Sequence, residues 1–127
     1  MSIPAAEHLH IREEGTLVRI PLERNINDKG CLFAGSIYTG AILAGYRAAE
    51  RLFAGRGLTG ELVAKSASVS YLKRIQSDGF AEVAACGEPV CKANGNQVLA
   101  VTVSVLDSER SRCAEFVAEF VLMKKRT

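Results

Sequence analysis

The sequence contains no tryptophan, only two histidines and three prolines, and none of its four cysteines is spaced as CxxC. Each shortage closes a route to function. Without aromatic stacking residues in a basic stripe, specific nucleic-acid binding is not expected. The 16 basic and 14 acidic residues leave only +2, with both signs scattered along the chain. His8 and His10 lie far from any cysteine, so zinc lacks clustered ligands and no metal or other cofactor is expected. Cys31, Cys86, Cys91 and Cys113 read as reduced thiols used as small apolar side chains. No stretch approaches the roughly 18 apolar residues that span a bilayer, so no membrane partner is expected. The opening MSIPAAEHLHIREEG has no positive region followed by an apolar run, which reads as no signal peptide and a cytoplasmic location.

What is present fits one globular domain over residues 1–127, with residues 1–14 an irregular or short helical lead-in. Thr16–Leu22 alternates as a strand, and Pro21 places it at an edge or near its end. Asn25–Ala34 is a polar Asn/Gly loop. From Gly35 to Phe53 the period is helical, and Gly55 is the expected stop. The first three turns carry almost no charge and small residues on nearly every face, so this helix should be buried all round. After Glu61 the period changes to two. Four runs follow, Leu62–Ile75, Phe80–Glu88, Val98–Leu106 and Arg112–Lys124, with Asn94-Gly95 a hairpin turn. Leu99, Val101, Val103 and Val105 should face inward with Ala114, Phe116, Ala118, Phe120 and Leu122. A strand, a buried helix and a four-strand meander predict an α+β fold, the sheet curved around the helix. Its open edges favour pairing with a second copy.

A polar loop leading into a buried helix offers backbone N–H groups to an electron-rich ligand atom. Three patches there and beyond, PLERNIN (21–27), GCLFAGSIY (30–38) and SVSYLKRI (68–75), resemble a small thioesterase family of the hotdog fold. That family also occurs as a C-terminal domain fused to some acetyltransferases. The resemblance spans about residues 14–125 and implies an antiparallel sheet wrapped around one long central helix. It implies acyl-CoA or acyl-carrier-protein thioesters as ligands and a homodimer or dimer of dimers. By the same resemblance the N–H of Gly35, or of Ala34 or Ser36, would polarise the thioester carbonyl.

The carboxylate that many hotdog thioesterases carry on the helix aligns with Ile42 here, and no acid lies from Ile37 to Ala49. Asp28 and Glu50 are the nearest acids. The catalytic candidates are therefore Asn27, Asp28 and Gly35, with Asn27 orienting water and Asp28 serving as base. Candidates for substrate contact are Asn25, Phe33, Ala34, Ser36, Tyr38 and Tyr71, with Lys73 and Arg74 gripping the phosphates of coenzyme A. Lys124, Lys125 and Arg126 form a basic tail with a similar option. Each has a plainer reading: asparagines bond their own turn, Ser36 caps the helix, the tyrosines border the core, and the cations are solvated. The glycine spacing of residues 30–36 lacks the lysine of a phosphate loop. A hydratase on this fold would need a histidine after the first strand, and both histidines precede it. Two readings stand: a thioesterase, or a non-catalytic acyl-thioester binder acting as sensor or accessory subunit.

Overall fold

The computed structural model describes residues 2–124; the tail residues Lys125 and Arg126 lie outside them. A short helix α1 (Pro4–His8) opens the chain, followed by strands β1 (Arg12–Glu14) and β2 (Leu17–Ile20). Helix α2 (Ala34–Gly55) comes next, then β3 (Gly60–Tyr71), β4 (Gly79–Cys86), β5 (Val90–Cys91), β6 (Gln97–Leu106) and β7 (Arg112–Lys124). The lead-in holds a strand that its sequence pattern does not announce. Three residues of β1 fold back on β2 through a two-residue turn that begins at Gly15, with φ +65°.

The sheet is antiparallel, in the order β1-β2-β4-β6-β7-β3, with β5 continuing the β4 side of β6. The expected meander is thus only partly present. Strands β4, β6 and β7 follow one another, and Gly95, with φ +88°, turns the chain from β5 into β6. The first run does not pair with the second. β3 pairs with β7 along its whole length, so the segment after Tyr71 crosses the end of the sheet to start β4 on the other side. A run read in isolation shows its periodicity but not its neighbour, and long-range pairing decided this one.

Inside the sheet lies α2. Ala41 and Ala49 are fully buried, and a Cβ on Gly40 would collide with Ile20. One on Gly45 would stand 3.2 Å from the Phe120 ring. Small residues are what let the sheet close on the helix. The inward sets fall as expected: Leu99, Val101, Val103, Val105, Ala114, Phe116 and Phe120 are all 0% exposed. The helix ends two residues past its last core residue, Phe53. Gly55 is its last residue, and Gly57, with φ +71°, supplies the left-handed conformation. The Leu58 N–H then bonds to the Phe53 carbonyl and the Gly57 N–H to that of Ala54, both at 3.0 Å.

The crossover is tied down by Asp78. Its Oδ1 accepts from the Leu22 N–H at 2.9 Å, and Oδ2 from Arg19 Nε and Nη2 at 2.9 and 2.7 Å. Burial by itself would raise this carboxyl, but the Leu22 N–H and the Arg19 guanidinium outweigh it and hold it below the usual range. A lowered folded pKa gives stability that is present above the unfolded value of about 3.9 and lost as pH falls through the folded one. Asp78→Asn should therefore destabilise the protein at neutral pH by on the order of 1 kcal/mol. The deficit against the parent should close as pH drops below about 4. Thermal melts across pH check this, and a deficit that stays constant into acid would refute it.

Candidate active site

The loop from Asn25 to Phe33 is held by its own backbone. Phe33 N–H bonds to the Asn25 carbonyl at 2.7 Å, Asn27 N–H to that of Cys31 at 2.7 Å, and Leu32 N–H to that of Ile75 at 2.8 Å. The last of these fastens the loop to the β3–β4 crossover. Asn27 Oδ1 accepts from both the Lys29 and Cys31 N–H groups at 2.9 Å, folding the loop around its side chain. Asn25 is 3% exposed, and its Nδ2 donates to the Leu9 and Pro21 carbonyls at 2.8 Å. It pins the lead-in beneath the loop and does not line the cleft described below.

Helix α2 starts at Ala34 with Phe33 as its N-cap, no side-chain cap and no acid in the first turn. Ser36 is not the cap. It lies one turn inside, 4% exposed, and its N–H and that of Ile37 both reach the Phe33 carbonyl, at 3.0 and 3.1 Å. The N–H groups of Ala34 and Gly35 have no acceptor among the described residues. They carry the positive end of a 22-residue helix. Phe33, 57% exposed, lays its ring over Gly35, where an added Cβ would meet Cε2 at 2.7 Å.

Beside this helix start is a cleft of about 270 Å³ lined by Asn27, Lys29, Cys31, Leu32, Ala34, Ile37, Tyr71, Lys73, Arg74 and Ile75. The crossover thus brings Tyr71, Lys73 and Arg74 to Asn27 and Ala34 across more than 35 residues of sequence. Tyr71 donates its hydroxyl to the Ala34 carbonyl at 3.0 Å, tying the end of β3 to the first turn of α2. Burial, and then the neighbouring Tyr38, raise the Tyr71 hydroxyl above its ordinary range, so it stays a donor. Lys73 stands 3.9 Å from Asp107 Oδ2, and Arg74 makes no ion pair among the described residues. Asp107 is held low by the Ser111 N–H, against burial, with help from the Glu109 N–H and Lys73.

Other candidates fall elsewhere. Asp28 has a side chain 82% exposed, 3.2 Å from Lys29 Nζ, and does not line the cleft. Tyr38 packs edge-on against Phe116 with ring centres 5.2 Å apart, bordering the core. Lys29 was not singled out in sequence, although a cation five residues before the small-residue helix start was a usable signal. All four thiols are free; Cys31 and Cys113 are buried as expected, whereas Cys86 and Cys91 are exposed. Burial raises Cys113 and Cys86, which makes neither a ready nucleophile. Among the described residues no His, Cys, Asp and Glu gather as a metal site, and no helix is long and apolar enough to cross a membrane.

A family model described as "Putative thioesterase (yiiD_Cterm)" matches residues 2–124. No curated protein matches the sequence. Among solved structures, a "putative thioesterase" from Shewanella oneidensis is similar at 24% identity and TM-score 0.82, covering 97% of this chain and 90% of that one. A thioesterase from Haemophilus influenzae gives 18% identity and TM-score 0.69, over 94% and 82% of the two chains. The BH2602 protein from Bacillus halodurans, solved with CoA, gives 19% and 0.71, over 96% and 78%. With its antiparallel sheet around one long helix and a family match over almost every residue, the chain belongs to this thioesterase family of the hotdog fold.

Proposed function

We propose that the protein hydrolyses acyl-CoA thioesters at the N-terminus of α2. The observation that carries this is the pair of unacceptored N–H groups, Ala34 and Gly35, at the rim of a cleft flanked by Lys29, Lys73 and Arg74. The amides suit a carbonyl oxygen that gains negative charge, because they are aimed in advance and aligned with the helix dipole. Three cations beside them suit the phosphates of coenzyme A better than a carrier protein's single phosphopantetheine. Water adds to the thioester carbon, the oxyanion rests on the amides, and the C–S bond breaks. A carboxylic acid and the free thiol leave, each with one of the water's protons. Asn27 holds the water through Nδ2, since its Oδ1 is already taken by two backbone N–H groups.

A panel of acyl-CoAs of graded length, read by release of free thiol from the purified protein, tests this. Turnover of at least one supports hydrolysis. The second reading, a non-catalytic acyl-thioester binder, draws on one feature: no carboxylate lines the cleft. Binding without turnover across the panel would select it.

The cations give a sharper expectation. Lys73→Ala combined with Arg74→Ala should raise KM for CoA esters about tenfold and leave kcat alone, because contacts to phosphates bind ground and transition states alike. Short pantetheine esters should show no change. An equal effect on both substrates would mean that these residues serve the fold or the acyl end.

The same proposal includes a homodimer. β3 is an edge strand of 12 residues carrying Leu62, Val63, Ala67 and Val69, with one side unpaired. An edge that long and apolar invites a second copy. Light scattering at micromolar concentration should return at least twice the 13.7 kDa chain mass, and a monomer mass would refute the pairing.

A further inference from the structure

Along the outward face of α2, Gly35, Thr39, Ile42 and Tyr46 follow one another at three- and four-residue intervals and so form one row. A cleft of about 410 Å³ runs beside the Thr39–Tyr46 part of the row, starting one turn past Gly35, between α1, α2 and the start of β3, bordered by Ile3, Thr39, Ile42, Leu62, Ala64 and Tyr46. Of the two hydroxyls in the row, that of Thr39 donates back to the Gly35 carbonyl at 2.8 Å, leaving its methyl to the cleft, and the other belongs to Tyr46 at the far end. Beyond Tyr46 a second cavity of about 320 Å³ continues toward the helix C-terminus, past Phe53 and Leu58. Tyr46 and Leu62 border both cavities. Tyr46 is held as the partition by an edge-on contact with Phe120, ring centres 6.1 Å apart, and by Arg47 5.9 Å above its ring.

We infer that Tyr46 sets the length of the acyl chain this protein accepts, with a limit at roughly thirteen carbons. The inference rests on the thioester reading above. From Gly35 to Tyr46 is 11 residues of the helix, about 16 Å of rise, and an extended alkyl chain advances roughly 1.25 Å per carbon. A carbonyl at the Gly35 amide therefore lays its chain along the row and meets the Tyr46 ring at about the thirteenth carbon. Short of the Tyr46 phenol the lining is apolar, which is what a saturated chain can use and a polar acyl group cannot.

The test is the length profile of straight-chain acyl-CoAs from butyryl to stearoyl, read both as kcat/KM and as affinity by calorimetry. Affinity should rise about fourfold per methylene and level off where the chain reaches Tyr46. Tyr46→Leu should open the partition and carry the rise at least about four carbons further. Ile42→Phe should narrow the cleft midway and move the plateau to shorter chains, independently of how well Tyr46→Leu folds. Profiles unchanged in both folded variants, or a Tyr46→Leu loss equal at every length, would overturn the inference. If no ester is hydrolysed, hydrolysis fails as the function, yet a length-dependent affinity that both variants shift still assigns the cleft to the acyl chain. A length-independent affinity would instead mean that another group, such as a second copy of the chain, covers it.

Discussion

Gly35→Val should lower kcat/KM for the best acyl-CoA by roughly 10²–10³ while the protein remains folded, because removing one oxyanion donor costs about that much. The reason is local. The Gly35 N–H is one of two in the first turn of α2 without an acceptor among the described residues, and a branched side chain there would crowd the carbonyl it serves. The fold should tolerate the change. The atoms nearest an added Cβ belong to the Phe33 ring, and Phe33 is 57% exposed, with solvent beside it to take up a shift. Glycine at this position has no positive φ to protect, so no backbone strain enters. Steady-state kinetics beside a thermal melt separate the two effects. Normal kinetics in a folded Gly35→Val protein would remove the helix start from the chemistry.

The second large effect is expected at Asn27. Its Oδ1 gathers the Lys29 and Cys31 N–H groups, and its backbone N–H reaches the Cys31 carbonyl. Asn27→Ala releases the loop and deletes the donor proposed to hold water. A displacement of about 1 Å in a positioning group can cost 10²-fold, so a loss of at least that order in kcat is expected. Asn27→Asp keeps the oxygen that folds the loop and replaces only the Nδ2 donor, so the loss it shows belongs to the water and not to the loop. Asp28→Asn should change kcat little, since that carboxylate is solvated beside Lys29. Were Asp28 the general base, its loss would instead be roughly 10²–10⁴-fold. Glu50→Gln is the control: Glu50 Oε1 is held by Arg47 Nη1 at 2.7 Å, far down the helix. Activity lost there alone would move the reacting carbonyl to the far end of α2.

Local pattern was enough for much of this molecule. The alternation from Val98 to Leu106 and from Arg112 to Lys124 specified two strands and their buried faces, because a period of two leaves one face to the core. Small residues from Gly35 to Ala49 marked a helix approached closely, and the sheet does press on Gly40 and Gly45, but not on all sides: Gly35 is exposed and Thr39, Ile42 and Tyr46 are only half-buried. Asn94-Gly95 marked a hairpin because a tight turn needs positive φ. The loop and helix start could be singled out as a candidate site by local reasoning too, a polar loop leading into a small-residue helix, although the sequence offers Ser36 as a cap that the helix does not use. Local pattern could not say which strand lies beside which. Pairing β3 with β7 satisfies its hydrogen bonds as well as a meander would, and only burial of the whole sheet against α2 selects between them. That choice sends residues 72–78 across the end of the sheet and delivers Lys73 and Arg74 to the helix start. The fold of the lead-in against the loop draws Asn25 into a buried pin on the Leu9 and Pro21 carbonyls, while Asp28 turns out to water beside Lys29. The sequence by itself determined a small-residue helix and the strands to wrap it, whereas the helix's lack of a side-chain cap emerged only with the structure. The tertiary structure alone decided which side chains meet there, because contacts between distant segments depend on strand order, and strand order is set by the packing of the whole core.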